Sequence, residues 1–129
     1  MNTLAKIFMV AALLLTAACS NAENSNDVIG QTELLSRIND GTAPLILDTR
    51  STAEFNSGHV PGATHLPYDN YQQTLASMNL KKDREVIVYC EKGGRAKKVE
   101  QHLRGQGFFE VRHLEGDMSA WRDAELVME

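Results

Sequence analysis

The chain predicts an α/β domain on a five-stranded, mainly parallel sheet, and three observations carry that expectation. Short apolar runs of strand length recur five times, at Val28-Ile29, Leu45-Ile46-Leu47, Ala63 to Leu66, Val86 to Tyr89 and Val111 to Leu114. Stretches with helical spacing alternate with them, and no internal repeat, low-complexity tract or second-domain boundary interrupts the pattern. Strand and helix in alternation give parallel pairing, because each helical crossover returns the chain to the same end of the sheet. Sites in such sheets form beyond the carboxyl ends of the strands.

Each element has a local reason. Asn24 to Asp27 is a polar lead-in to the first strand, and Thr32 to Ile38 then places Leu34, Leu35 and Ile38 on one helical face. After Leu45-Ile46-Leu47, Ser51-Thr52-Ala53-Glu54 reads as a capping box, in which the Ser51 hydroxyl and the Glu54 carboxylate each satisfy an orphan backbone donor. That helix runs from Ser51 to near Gly58. Tyr68 to Met78 is helical, and Val86 to Tyr89 is the central strand. Beyond it Ala96, Val99 and Leu103 share one helical face, with Gly105 and Gly107 as stop signals. A short helix around Ala120-Trp121 follows the fifth strand, and Trp121, Phe55 and Phe108 are expected to pack.

A chain of 129 residues, 43% hydrophobic and with a net charge of −4, can bury one core without staples. The acidic balance, with no face of clustered Lys and Arg interleaved with aromatics, argues against nucleic acid as a partner. Residues 1–22 read as a secretory signal: Lys6 precedes an apolar run from Ile7 to Ala18, and small residues follow. The run is shorter than the about 20 residues that span a bilayer. Two processing routes fit. Leu15-Thr16-Ala17-Ala18-Cys19 resembles a bacterial lipobox, which would leave an acylated Cys19 as a membrane anchor; Ser20-Asn21-Ala22 offers cleavage before Glu23. Either way residues 23–129 form the exported domain, expected in a bacterial periplasm, and its one thiol is Cys90. An unpaired cysteine in an oxidising compartment is a liability unless its reactivity is used.

Cys90 stands where the central strand ends and Glu91-Lys92-Gly93-Gly94-Arg95 leads into the next helix. A strand end fixes the sulfur, glycines let backbone N–H groups turn inward, and the helix directs its positive end to the same point. Such a position stabilises a thiolate. A buried, inert cysteine is the bland alternative, and Gly93-Gly94-Arg95 favours the reactive one.

Four blocks resemble the rhodanese family in its usual motif order: Asp48-Thr49-Arg50; Glu54 through Gly58-His59-Val60-Pro61-Gly62-Ala63; Tyr89-Cys90-Glu91-Lys92-Gly93-Gly94-Arg95; and Leu114-Glu115-Gly116-Asp117-Met118-Ser119-Ala120-Trp121. The likeness spans nearly all of residues 23–129 and is nearest to small, single-domain, exported thiosulfate sulfurtransferases. It implies a three-layer α/β/α domain. It implies that Cys90 is the nucleophile, taking the outer sulfur of a donor such as thiosulfate as a persulfide and passing it to cyanide or a thiol. Glu91, Lys92, Gly93, Gly94 and Arg95 match the substrate-binding loop whose N–H groups surround that persulfide. Two covalent half-reactions imply ping-pong kinetics with small-molecule donor and acceptor. No cofactor is implied and no metal, and His59, His65, His102 and His113 show no ligand spacing with Cys90.

Under the same resemblance Asp48 and Arg50 support the cleft from a second strand end, where structural pairing is expected. Arg95 either binds an anionic donor or pins the loop through a carboxylate, since forked pairing suits both. Lys92 is the donor contact if it faces the cleft, and His59 is a turn-stabilising residue. Two departures stand out: Ala96 replaces a common serine, and Asp117 replaces a common glycine. Asp117 is expected at the cleft mouth, repelling an anionic donor, or else as the N-cap of the final helix.

Two other function classes compete. Phosphatases of the tyrosine-phosphatase type and arsenate reductases carry five residues between Cys and Arg; this chain has four, a cradle sized for one sulfur atom, and no matching Asp general acid. A persulfide carrier that serves a partner protein without turnover keeps its cysteine, and that reading stays open.

Overall fold

Strands β1 (Val28–Ile29), β2 (Leu45–Asp48), β3 (Thr64–His65), β4 (Val86–Tyr89) and β5 (Val111–Leu114) form one sheet in the order β1-β5-β4-β2-β3. Every pairing among the described residues is parallel, as the alternation of strands and helices predicts. The computed structural model describes residues 26–129; the signal segment, both processing sites and Cys19 lie outside the described residues. Among the described residues no helix is long and apolar enough to cross a membrane.

β4 is central and buried along its whole length. Strand alternation sends Val86 and Val88 to one face and Ile87 and Tyr89 to the other. On the first face lie α3 (Tyr71–Met78) and α4 (Gly94–Gly105), packed through Leu75, Ala96, Val99 and Leu103. On the second lie α1 (Gln31–Asn39) and α5 (Asp117–Asp123), packed through Leu34, Met118 and Trp121. The domain is therefore a three-layer α/β/α sandwich. Burial on both faces explains why β2 and β4 read as unbroken apolar runs.

Boundaries follow local chemistry. The capping box is present: Ser51 Oγ accepts from Glu54 N–H at 3.2 Å and Glu54 Oε1 from Ser51 N–H at 3.1 Å, opening α2 (Thr52–Asn56). The stretch expected as one helix from Tyr68 to Met78 divides into a 3-10 turn, Tyr68–Asn70, and α3, because Asn70 leaves helical geometry at φ −136°. The third strand is shorter than expected: only Thr64 and His65 take strand positions beside β2, and Leu66 adds one further bond, its N–H donating to the Asp48 carbonyl at 2.8 Å.

The carboxyl ends of β2 and β4 are tied by a buried network. Arg50 donates to Asp48 from Nη2 at 2.8 Å, and from its backbone N–H at 2.9 Å, and its Nη2 also donates to the Gly58 carbonyl at 2.7 Å. The Tyr89 hydroxyl donates to Asp48 Oδ2 at 2.7 Å and accepts from Val60 N–H at 3.1 Å. Burial opposes the Arg50 cation, but Asp48 outweighs it and raises its pKa; burial and then Asp48 push the Tyr89 phenol far above its ordinary value.

Tyr89→Phe keeps the ring but strips the Val60 N–H of its acceptor and Asp48 of a donor. It is expected to cost about 1–3 kcal/mol, the penalty of leaving buried polar groups unsatisfied, read as a lower urea midpoint. An unchanged midpoint would show that the hydroxyl does not couple the two strand ends.

Candidate active site

Between the end of β4 at Tyr89 and the start of α4 at Gly94 the chain changes from strand to helix within four residues, Cys90 to Gly93. Gly93 makes the turn possible with φ 109°, a left-handed conformation that L side chains rarely adopt. Its N–H points at Cys90 Sγ, 3.0 Å away. The next three N–H groups, of Gly94, Arg95 and Ala96, open α4 and have no intrahelical acceptor, so the positive end of a twelve-residue helix lies at this loop. Cys90 itself is a free thiol, 2% exposed. The arrangement suits a sulfur that carries negative charge.

The backbone of Cys90 is held by α5. Its N–H donates to Asp117 Oδ1 and its carbonyl accepts from Met118 N–H, both at 3.0 Å. The Glu91 carbonyl accepts from Ser119 N–H at 3.1 Å. With its peptide groups engaged, the residue presents the sulfur alone.

The loop side chains go to three different places. Arg95 forks onto Glu54, at 2.8 and 3.1 Å, the same carboxylate that closes the capping box. Arg95 holds the Glu54 carboxyl down at about 2, and is itself raised by Glu54 first and by the neighbouring Cys90 sulfur as well. Of its two expected roles the structure displays the pinning one. Glu91 pairs with Arg122 at 2.7 Å and with Arg50 at 3.5 Å, which hold its carboxyl below the ordinary range. Lys92 is exposed and, with Gly93, lines a concavity of about 680 Å³ over His113 and Asp117, a wall to which Cys90 does not contribute. His59 stacks on Phe55 with ring centroids 3.7 Å apart and bonds the Phe55 carbonyl through Nδ1, within its own turn.

Asp117 departs from both expectations. It is 3% exposed, and Gly116, not Asp117, occupies the N-cap of α5. Two successive left-handed residues, Gly116 at φ 70° and Asp117 at φ 56°, turn the carboxylate beneath the loop instead of out to the mouth. There its Oδ2 meets His113 Nε2 at 2.8 Å, and His113 Nδ1 meets Glu100 Oε2 at 2.6 Å. Burial disfavours the His113 cation, but Asp117 and Glu100 outweigh burial and lift its pKa to about 10. The Asp117 carboxylate is thus buried against His113 and the Cys90 N–H instead of turned out to the cleft mouth. Sequence reasoning weighed His113 only as a metal ligand and passed over Glu100. One signal was visible: Glu100 sits inside the apolar stripe of α4, between Val99 and Leu103.

The raised pKa of His113 ties stability to pH. Its proton contributes stability in full below the ordinary value of 6.5, and that contribution is lost as pH climbs to about 10. His113→Gln is expected to flatten the fall of the urea midpoint across that window; parallel declines in both proteins would contradict the assignment.

Residues 30–124 match the family model of the Rhodanese-like domain. The thiosulfate sulfurtransferase GlpE of Shewanella oneidensis is 35% identical over 79 residues, covering 61% of this chain and 76% of that protein. A tRNA uridine(34) hydroxylase of Escherichia coli is 29% identical over 100 residues, 74% of this chain but 28% of the hydroxylase. The crystal structure of the Alr3790 protein from Anabaena superposes with a TM-score of 0.70 at 31% identity, covering 78% of this chain and 81% of that one. The matched span takes in the Cys90 loop, the Asp48–Arg50 strand end and the α5 turn that holds them, and the chain belongs to the rhodanese-like domain family.

Proposed function

We propose that the protein is a sulfurtransferase that moves a sulfane sulfur from a donor such as thiosulfate to cyanide or a thiol through a persulfide on Cys90. Family membership and the activity printed for the GlpE relative support sulfur transfer in general. The observation that carries the finer reading is Cys90 Sγ at the end of β4, with the Gly93 N–H at 3.0 Å and the positive end of α4 at the same loop. Thiolate Sγ attacks the outer sulfur of thiosulfate, the sulfur–sulfur bond of the donor breaks, and sulfite leaves with the electron pair. The acceptor then attacks the outer sulfur of the persulfide and Cys90 departs as thiolate. Inward N–H groups stabilise the anionic sulfur in both steps. Glu54 keeps the Arg95 cation fixed beside it. A cysteine only 2% exposed suits a donor that presents a single atom. The reaction as written balances without metal or cofactor. Residues 1–22, with a lipid on Cys19 or cleavage after Ala22, would deliver the domain to the periplasm.

Cys90→Ser is expected to reduce thiocyanate formation from thiosulfate and cyanide to the uncatalysed rate with the circular dichroism spectrum unchanged. Wild type is expected to give parallel double-reciprocal lines, as covalent transfer requires. Comparable turnover by a folded Cys90→Ser variant would refute the reading.

Steady loading of Cys90 without delivery to any small acceptor would turn the reading into the carrier one. Loop length offers a second check: one glycine inserted between Gly93 and Gly94 moves the N–H groups off the sulfur and is expected to slow transfer by about tenfold or more. Undiminished transfer would sink the loop-size argument.

A further inference from the structure

Three charged side chains from three elements meet behind the Cys90 loop. Glu100 comes from α4 and Asp117 from the start of α5, 4% and 3% exposed, and His113 comes from β5 between them. The two contacts to the imidazole, 2.6 and 2.8 Å, both end on carboxylate oxygens. An ionised carboxylate only accepts, so both ring nitrogens must donate, and only the imidazolium can do that. Buried charges without such pairing are costly. A purely structural ion triad would end there. This one continues, because the remaining oxygen of Asp117 accepts the N–H of Cys90 at 3.0 Å.

The loop also rests on the same pair. A Cβ at Gly93 would lie 3.0 Å from Asp117 Oδ2 and 3.5 Å from His113 Nε2, so the backbone whose N–H meets Sγ packs directly against it. Asp117 keeps its carboxylate at φ 56°, where glycine would sit without strain. Other charges face His113 as well. Arg104 of α4 stands 3.9 Å from Glu100, Lys92 and Lys97 line the concavity above the ring, and Asp27 and Glu115 line it from the β1 and β5 sides. The lysines offset those two exposed carboxylates, which leaves His113 as the cation between Glu100 and Asp117.

We propose that Glu100, His113 and Asp117 form a charged chain that positions Cys90, with His113 fixing Asp117 and Asp117 fixing the Cys90 peptide. The inference rests on the sulfurtransferase reading only for its kinetic consequence. None of the three touches donor or sulfur in this scheme; they are positioning residues, and a neutral His113 would leave two facing carboxylates that release the loop.

Three measurements on the full chain test it. Ring-nitrogen NMR at neutral pH is expected to show both His113 nitrogens protonated, and a neutral ring overturns the proposal without any variant. Amide hydrogen exchange at Cys90 is expected to be slow in wild type and at least about tenfold faster in Asp117→Ala and His113→Gln, since the N–H loses a fixed acceptor. Unchanged protection in either folded variant overturns it. With thiosulfate, both variants are expected to lose about tenfold to a hundredfold in kcat with little change in KM, the cost of a misplaced nucleophile. Asp117→Asn retains an amide oxygen for the Cys90 N–H and is expected to recover part of that loss; no recovery, or a loss confined to KM, counts against positioning. If a variant fails to fold, the wild-type Cys90 amide decides instead, its protection factor followed through the His113 titration as located by the ring-nitrogen NMR: loss of protection as His113 loses its proton supports the chain, and constant protection overturns it. The exchange and NMR arms need no turnover, so a wild type that moves no sulfur would refute the reaction and leave the positioning claim separately tested.

Discussion

The peptide of Cys90 is bound on both sides by the first turn of α5, its N–H by the Asp117 carboxylate and its carbonyl by the Met118 N–H. A strand end in the middle of a parallel sheet supplies position but not orientation, because the ladder stops where the strand stops. The α5 contacts supply the orientation. They require α5 to start immediately below the loop, which the left-handed pair Gly116 and Asp117 achieves in a single tight turn after β5. Gly116 has no alternative, since a Cβ there would collide with the Ala120 side chain.

Two buried ionic groups flank this clamp and differ in kind. Asp48, Arg50 and Tyr89 join the ends of β2 and β4 and hold the Gly58 to Val60 turn, and their cation is a guanidinium that keeps its proton at any working pH. Glu100, His113 and Asp117 lie under the loop, and their cation is an imidazolium that titrates. Glu91 faces the first group through Arg50 and is pinned on its other side by Arg122 of α5. The loop thus sits between a permanently charged support and a titratable one. Proton loss at His113 should act on one side only.

Much of the fold was legible in the residues themselves. The unbroken apolar run Val86 to Tyr89 marks a strand buried on both faces, and Ser51 with Glu54 marks a helix start; both stand where they were expected. The turn from Cys90 to Gly93 was also readable, because glycines between a strand and a helix allow the left-handed backbone that Gly93 adopts at φ 109°. What stayed hidden depends on contacts distant in sequence. Asp117 lies 27 residues beyond Cys90, with all of α4 and β5 between them, and nothing local shows that a left-handed backbone folds the Asp117 side chain inward. The forked Arg95 left its partner open until Glu54 was placed beside it by the capping box. His113 looked like an ordinary strand residue because its two carboxylates come from different helices.

The central claim is that Cys90 accepts a sulfur atom, and intact mass spectrometry of the folded protein after brief exposure to thiosulfate tests it most directly. The account predicts a gain of one sulfur atom localised to the Cys90 peptide, one equivalent of sulfite released, and reversal by cyanide with thiocyanate formed. Sulfite release with no gain at Cys90, or the same gain in the Cys90→Ser variant, would contradict it.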